Sequence, residues 1–202
     1  MRSPEDIVDL VFGLHGTTIA VDYADLLWQA LAVAQPWLAD EAALGVHPLG
    51  RIGVGDGCLY LSRHSRLVLR LPHGRVEQAG QLAGSSIDLG GSVTLGAAKV
   101  RTLAAERVLY SFCVLVGTAG EDEFVGACRR ELDDLGVADA DLVVGKPTSL
   151  RVAGEVQQGY SLMVHGVRPE ESLRLQRVGL GTERRRGCGL FVPHKSVAPV
   201  GA

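Results

Sequence analysis

RPEESLRLQRVGLGTERRRGCGLFVPHKS, residues 168–196, closes the chain with a predicted helix, a glycine-rich loop and a predicted strand. We expect the helix over 168–179 and the strand over 189–193, with three consecutive arginines between them. A helix that returns to a last strand is how a βαββαβ unit ends. The closing stretch therefore predicts that at least the second half of the chain has a ferredoxin-like topology.

The preceding elements complete this pattern twice. In the first half, the patterns predict strand, helix, strand, strand, helix and strand; in the second half they predict the same order again. The first-half segments include a strand over 6–14, helices over 23–35 and 75–82, and a strand over 66–72; the second-half segments are 107–117, 121–136, 149–154 and 159–167. The sequence thus predicts an α+β protein of two tandem ferredoxin-like, RRM-like modules, 1–104 and 105–202.

Composition limits the function classes. The 202 residues are 47% hydrophobic and 21% charged, with a net charge of −3, so a packed protein is expected and a global signal for nucleic acid is missing. A polyanion site must therefore be local. The sequence shows neither a membrane-spanning run nor a signal-peptide pattern, and we expect a cytoplasmic protein. The cysteines form no Cys-x-x-Cys pair, which favours idle thiols over zinc: Cys58, Cys113, Cys128 and Cys188.

The closing loop has the chemistry of an anion site. Glycines allow positive φ and close approach to bare amides, and arginine forks match phosphate oxygens. The candidate RNA-binding residues here are Gly179, Gly181, Arg184, Arg185, Arg186, Gly187, Gly189, His194 and Lys195. A Walker loop is disfavoured because Gly-Lys-Ser/Thr is missing and the element order is reversed. The alternative is a solvated hairpin whose arginines serve solubility.

Several segments, taken in order, resemble the RAMP superfamily of CRISPR-associated RNA-binding proteins, and more specifically the CRISPR repeat-processing endoribonucleases of the Myxan subtype. The likeness extends over nearly the whole chain. It is carried by VDLVFGLHGTTIAVDYADLLWQAL (8–31), GVHPLGR (45–51), SRLVLRLP (65–72), LAGSSIDLGG (82–91) and RPEESLRLQRVGLGTERRRGCGLFVP (168–193).

The resemblance implies metal-independent cleavage of CRISPR precursor RNA within its repeats, without a cofactor. A 2′-hydroxyl attacks the adjacent phosphate, giving a 2′,3′-cyclic phosphate and a 5′-hydroxyl. Such proteins retain the processed RNA and join an interference complex, so we expect repeat RNA, and other subunits of that complex, as partners. The reaction needs groups that move two protons and neutralise the phosphorane, and histidine suits proton transfer near neutral pH.

His47, in GVHPLGR, is the first candidate for the general acid or base, because the wider family implies a catalytic histidine in this region. Arg51 is close enough in sequence to hold the same phosphate. Related sequences often carry histidine after the Asp that opens the first helix, whereas this chain has Asp22–Tyr23. Tyr23 is thus a second catalytic candidate, although a phenol is a poor base at neutral pH. His15 is a candidate for RNA binding.

Two rival functions remain open on the sequence: a non-catalytic RAMP subunit that binds guide RNA, and a ferredoxin-like module that binds a ligand or protein and has no RNA role. The aromatic residues offer little evidence for base stacking, because we expect most of them in core positions: Trp28, Trp37, Phe112, Phe124 and Phe191. RNA binding would then depend mainly on phosphates and on hairpin shape.

Overall fold

The computed structural model describes residues 6–50, 53–118, 120–137, 139–152 and 154–194. The chain divides into two compact units, Met1–Thr102 (unit 1) and Leu103–Ala202 (unit 2). Each unit has a hydrophobic core of its own. No helix within the described ranges is long and apolar enough to cross a membrane.

Unit 1 has a five-stranded antiparallel sheet in the order β3-β6-β1-β8-β7. The run β3-β6-β1-β8 is the strand order of a ferredoxin-like module, with β7 added at the edge. A small second sheet has the order β2-β5-β4. The elements are β1 (Ile7–His15), β2 (Thr18–Ala20), α1 (Tyr23–Ala34), β3 (Gly45–Val46), β4 (Gly53–Gly55), β5 (Cys58–Tyr60), β6 (Arg66–Pro72), α2 (Val76–Gly80), β7 (Ser86–Asp88) and β8 (Ser92–Thr102).

The first strand shows why this sheet forms. Alternate residues of β1 are buried in the unit 1 core, where they pack with residues of α1: Val8, Leu10, Phe12 and Leu14 with Leu27 and Leu31. Each such side chain contributes about 1.5–3 kcal/mol by leaving water. The intervening residues of β1 must therefore point to the other face of the sheet.

Unit 2 has a four-stranded antiparallel sheet in the order β10-β11-β9-β12, again the ferredoxin-like order. Its elements are β9 (Val108–Val114), α3 (Glu121–Asp134), β10 (Asp141–Val152), β11 (Glu155–His165), α4 (Pro169–Val178) and β12 (Val192–Pro193). The prediction of an α+β protein with two ferredoxin-like modules is confirmed.

Several strand boundaries differ from the prediction, and for two of them the structure shows the cause. β10 begins at Asp141 rather than near 149, because Pro147 and a register shift between Val144 and Pro147 interrupt the pattern that the sequence shows. β12 begins at Val192 rather than at 189, since Gly189 has a φ of +67° and is not extended. The preceding residues, Leu190 and Phe191, are buried nonetheless.

Most of the aromatic residues take the core positions expected of them. Phe124 and Phe191 are buried, and Trp28 and Trp37 pack partly buried against the unit 1 core. The prediction is wrong for Phe112, whose surface is 54% exposed. All four cysteines are free thiols, and all but Cys58 are buried.

Candidate functional site

His47 lies directly after β3 and is almost fully buried, at 7% exposure. Its amide donates a hydrogen bond of 2.9 Å to the carbonyl of Val68 on β6, which fixes the backbone at the edge of the sheet. Its Nε2 lies 3.6 Å from Oδ1 of Asp9, beyond hydrogen-bond distance, and is buried with no hydrogen-bond partner among the described residues. The imidazole is thus aimed at a buried carboxylate on β1, on the sheet face opposite the unit 1 core.

Asp9 is the centre of a buried charge cluster. Nε of Arg70 donates to its Oδ1 at 2.8 Å and a terminal nitrogen donates to Oδ2 at 3.3 Å, while Arg101 donates to Oδ2 at 2.9 Å. The register explains the meeting, because Asp9 on β1 is opposite Arg70 on β6 and Arg101 on β8. Both Asp9 and Arg70 are at most 2% exposed.

These neighbours set the charge states. Burial raises the pKa of Asp9, but His47 and Arg70 outweigh burial and hold that pKa well below its usual range. Because the His47 contact is 3.6 Å long, we regard the two Arg70 bonds as the stronger influence. Burial lowers the pKa of His47 below its ordinary value of 6.5, against the opposing influence of Asp9. An anionic carboxylate therefore faces a largely neutral imidazole at pH 7.

Tyr23, the first residue of α1, contacts the same loop. Its hydroxyl oxygen accepts a hydrogen bond of 2.8 Å from the amide of Leu49, two residues after His47. Burial raises the pKa of Tyr23, so the phenol stays protonated at neutral pH. The structure therefore brings both candidate catalytic residues to one short segment, His47–Leu49, which carries His47 and is bonded by Tyr23.

The glycines of the closing loop belong to unit 2, and three of them are required by packing. A Cβ at Gly179, Gly181 or Gly189 would lie 2.3 Å or less from a backbone carbonyl oxygen. These three glycines and Gly187 all have positive φ. Their amides donate within unit 2: Gly179 to Leu175 O, Gly181 to Glu131 Oε2, Gly187 to Arg184 O and Gly189 to Cys113 O. These N–H groups are thus already used within unit 2, and the assignment of the loop glycines to RNA binding stays a prediction.

The loop arginines also have structural contacts. Arg184 donates to the carbonyls of Arg177 and Val178 at the end of α4, and Arg186 pairs with Glu183 at 2.6 Å. These bonds tie the turn Arg184–Arg186 to the helix that precedes it. Any contact with RNA phosphates must therefore use donors that these bonds leave over.

The remaining candidates fall in different places. His194 follows β12, where its ring lies 5.6 Å from the ring of Tyr110, and His15 ends β1 at an exposed position. Arg51 and Lys195 lie outside the described residues. Within the described ranges, no three His, Cys, Asp or Glu side chains gather as metal ligands would.

Sequence reasoning missed Asp9 and took Arg70 for a member of a basic cluster open to a polyanion (Arg63, Arg66, Arg70 and Arg75), whereas Arg70 is buried against Asp9. The signal was one charged residue inside each of two otherwise apolar strands, IVDLVFGLH and RLVLRLP. A buried charge needs a partner of opposite sign, so an acid in one apolar strand and a base in another predict each other. The sequence does not reveal that the two strands pair in register.

Two antiparallel sheets in the ferredoxin-like order, in one chain with a glycine-rich loop before the last strand, define a protein of the RAMP type. The chain belongs to the Cas6 family: the family's sequence model, described as Cas6 Crispr, matches residues 8–196. The resemblance found in the sequence motifs is thereby confirmed.

Named relatives and solved structures support the same family assignment. The CRISPR-associated endonuclease Cas6 of Myxococcus xanthus (strain DK1622) is 35% identical over 195 residues, covering 96% of this chain and 84% of that protein. The solved structure of a Cas6-related gene product from Pyrococcus furiosus covers 92% of this chain and 97% of its own, with a TM-score of 0.66 and 14% identity. Thermus thermophilus Cse3, solved with an RNA representing a pre-cleavage complex, covers 96% and 100%, with a TM-score of 0.51 and 19% identity. At such identities the solved structures show the fold alone.

Proposed function

We propose that this protein is an endoribonuclease that cleaves CRISPR precursor RNA within its repeats. The family match over residues 8–196 carries the proposal, and the 35% identical relative is named as a CRISPR-associated endonuclease. We also propose that the protein acts in the cytoplasm, keeps the processed RNA and joins other subunits in an interference complex.

The proposed reaction is an internal transesterification that needs no metal. The 2′-hydroxyl loses its proton and attacks the adjacent phosphorus, and the bond from phosphorus to the 5′-oxygen breaks. The 5′-oxygen takes up a proton, so the products are a 2′,3′-cyclic phosphate and a 5′-hydroxyl. One histidine can serve both proton transfers in turn, first as base and then as acid.

His47 is our candidate for that group. Its Nε2 faces the buried Asp9, so we assign the reacting lone pair to Nδ1, with the Nε2 proton directed at the carboxylate. Asp9 then orients the ring and stabilises the imidazolium that forms when Nδ1 accepts a proton, as the carboxylate does in hydrolase triads. Because burial lowers the pKa of His47, the base form predominates at neutral pH.

We assign Tyr23 mainly to positioning. Its hydroxyl oxygen holds the Leu49 amide and thereby the segment that carries His47, while its own proton is left to donate to a phosphate oxygen. Arg51, four positions after His47 in the sequence, remains a proposed phosphate ligand. The closing loop would bind RNA through guanidinium donors of Arg184, Arg185 and Arg186, and His194 and Lys195 remain proposed ligands as well.

One observation favours a second candidate, a Cas6-family subunit that binds repeat RNA without cutting it. Nε2 of His47 is buried, and the side chain as a whole is only 9% exposed. A ring so enclosed could serve only to complete the Asp9 cluster. Under this alternative RNA binding persists, but replacement of His47 changes stability and no cleavage is seen.

Incubation of the purified protein with repeat RNA in EDTA separates the two. We expect one internal cut whose upstream product ends in a cyclic phosphate, and we expect His47→Ala to abolish it while RNA affinity is kept. His165→Ala is a matched control, since Nδ1 of His165 also lies 3.6 Å from an aspartate, Asp141, but at the exposed surface of unit 2. Tight binding with no product from the wild-type protein would establish the second candidate instead.

A further inference from the structure

A groove of about 290 Å³ lies on unit 1, formed by β1, β8 and the residues leading into β6. Its floor contains Gly13 and Gly96, and its walls include His15, Arg63, Arg66 and Lys99. Gly13 and His15 alternate with the core residues of β1, so the groove opens on the sheet face opposite α1. His47 is not among the lining residues.

The charge of the groove is uncompensated. Three cationic side chains border it, and none of the described residues that line it is acidic, in a protein whose net charge is −3. The Lys99 side chain makes no hydrogen bond or ion pair with any residue that the structure describes. The nearby acid on β1, Asp9, is already bonded to Arg70 and Arg101. Like charges held together without a counter-ion favour an anionic ligand.

The two arginines of the groove, Arg63 and Arg66, are also held in place. One terminal nitrogen of Arg66 donates to the carbonyls of Arg63 and Ser65, at 2.8 and 2.7 Å. Nε of Arg63 donates to Nε2 of His64 at 3.1 Å. These bonds anchor each guanidinium on one side and leave its other N–H groups for a ligand, because each arginine has five donors.

The depth of the groove depends on two missing side chains. A Cβ on Gly96 would lie 2.9 Å from Nε2 of His15 and 3.4 Å from the carbonyl oxygen of Gly13. A Cβ on Gly13 would lie 3.7 Å from the same imidazole nitrogen, which is ordinary contact. The register of β1 on β8 shifts between Phe12 and Leu14, around Gly13. The glycines thus leave the edge of the His15 ring beside open space.

We propose that this groove binds the phosphodiester backbone of the RNA strand, with Lys99, Arg63 and Arg66 as phosphate ligands and His15 against the sugar or base. The inference rests on the proposed function, in that the anion is taken to be RNA. The three cations lie on separate segments of the groove. This arrangement fits an RNA strand that runs along the groove better than a small anion that is enclosed on all sides. The site would lengthen the RNA footprint on unit 1 beyond the His47 loop.

Lys99→Gln tests the proposal. Lys146→Gln is the matched control, because it removes an exposed lysine on β10 of unit 2. Affinity for single-stranded repeat RNA is measured at several salt concentrations between about 50 and 200 mM. We expect Lys99→Gln to weaken binding and to reduce the slope of log K against log salt by about 0.7, the share of one single-strand phosphate. We expect Lys146→Gln to leave both unchanged.

A second variant changes shape rather than charge. Gly13→Ala adds a methyl group to a residue that lines the groove, and we expect weaker RNA binding with an unchanged thermal midpoint of unfolding. Gly80→Ala is its control, because a Cβ at Gly80 would have nothing within 4 Å. Wild-type RNA binding that neither Lys99→Gln nor Gly13→Ala alters would overturn the groove and leave the proposed function standing. No RNA binding by the wild-type protein would overturn both. Loss of the Lys99-dependent slope in inorganic phosphate at matched ionic strength would reassign the groove to free phosphate.

Discussion

Nε2 of His47 lies 3.6 Å from Oδ1 of Asp9, and the carboxylate that it faces is bonded to Arg70 as well. The two guanidinium bonds hold Asp9 in the ionised form and prevent it from turning away. The pair is therefore asymmetric: the carboxylate keeps its charge, and the imidazole is the member that can gain or lose a proton.

Asp9→Asn should slow cleavage more than it weakens RNA binding. The amide can still accept a hydrogen bond from Arg70, but it cannot stabilise the imidazolium of His47 by charge. We expect a fall in the single-turnover rate of about 10²-fold, typical of losing one proton-transfer partner, with the dissociation constant for repeat RNA nearly unchanged. Quenched-flow cleavage and a binding titration with the non-cleavable 2′-deoxy substrate measure the two. An unaltered rate in a well-folded variant would remove Asp9 from the mechanism.

Tyr23→Phe separates positioning from proton transfer. The substitution removes the acceptor of the Leu49 amide, and we expect a loss of about 1 kcal/mol in the free energy of unfolding. If Tyr23 acts by holding the loop, the cleavage rate falls while the shape of its pH profile stays that of the wild type. A changed profile, with a limb lost on the alkaline side, would instead make the phenol a proton donor in the reaction.

The sequence predicted the two modules because that inference needs only local patterns and the order in which they occur. It named His47 and Tyr23 as separate catalytic candidates, and the Tyr23–Leu49 bond links Tyr23 to the segment that carries His47. It could not predict the Asp9 cluster, which depends on strand register between residues 61 positions apart. The packing role of the loop glycines could not be predicted for a similar reason: glycines that admit a ligand and glycines that admit a backbone carbonyl look the same in sequence.

His47 should make the protein less stable in mild acid. A histidine whose pKa folding lowers binds a proton more readily in the unfolded chain, so the unfolded state gains as pH falls below about 6.5. We expect the free energy of unfolding to drop by up to about 1.4 kcal/mol per pH unit in this window, and His47→Gln to flatten the slope. Asp9, whose pKa is lowered, adds a further loss of stability only below its ordinary value of 3.8. Urea titrations from pH 7.5 to about 5 test this in the range where histidine titrates.

The surface pair of His165 and Asp141 is the control for that measurement. Its aspartate side chain is 73% exposed, so solvent screens the interaction, and His165→Gln replaces a histidine that belongs to no buried charge cluster. Equal flattening by His47→Gln and His165→Gln would contradict the role that we give to burial.

Arg184 should contribute to folding more than to RNA binding. Its side chain satisfies the carbonyls of Arg177 and Val178 at the end of α4, and we expect Arg184→Ala to cost about 1 kcal/mol of unfolding free energy. Arg177→Ala, which removes an exposed charge from the same last helical turn, should cost clearly less. Chemical denaturation compares the two, and equal losses would show that charge at the helix end, rather than the hydrogen bonds, is what matters.

Replacing Arg184, Arg185 and Arg186 at once would change both the stability of the fold and the affinity for RNA. Arg185→Ala alone tests one of these arginines by itself, and we expect it to lower the salt slope of repeat-RNA binding by about 0.7–0.9, the contribution of one phosphate. The slope is read from affinities at matched temperature over several salt concentrations. An unchanged slope would move the RNA away from this turn.

Gly189→Ala should be among the most destabilising single substitutions in unit 2. The new Cβ would lie 2.0 Å from the carbonyl oxygen of Leu180, and the residue has a φ of +67°, so the change combines a clash with backbone strain. Gly166→Ala separates the two, because Gly166 has a φ of +83° with nothing within 4 Å of its Cβ position. We expect about 1–2 kcal/mol of lost stability for Gly166→Ala, the cost of left-handed backbone, and clearly more for Gly189→Ala. Thermal unfolding measures the stability of both variants. Similar losses would mean that the loop can shift to admit a methyl group. Direct contact of the loop amides with RNA would need the same mobility.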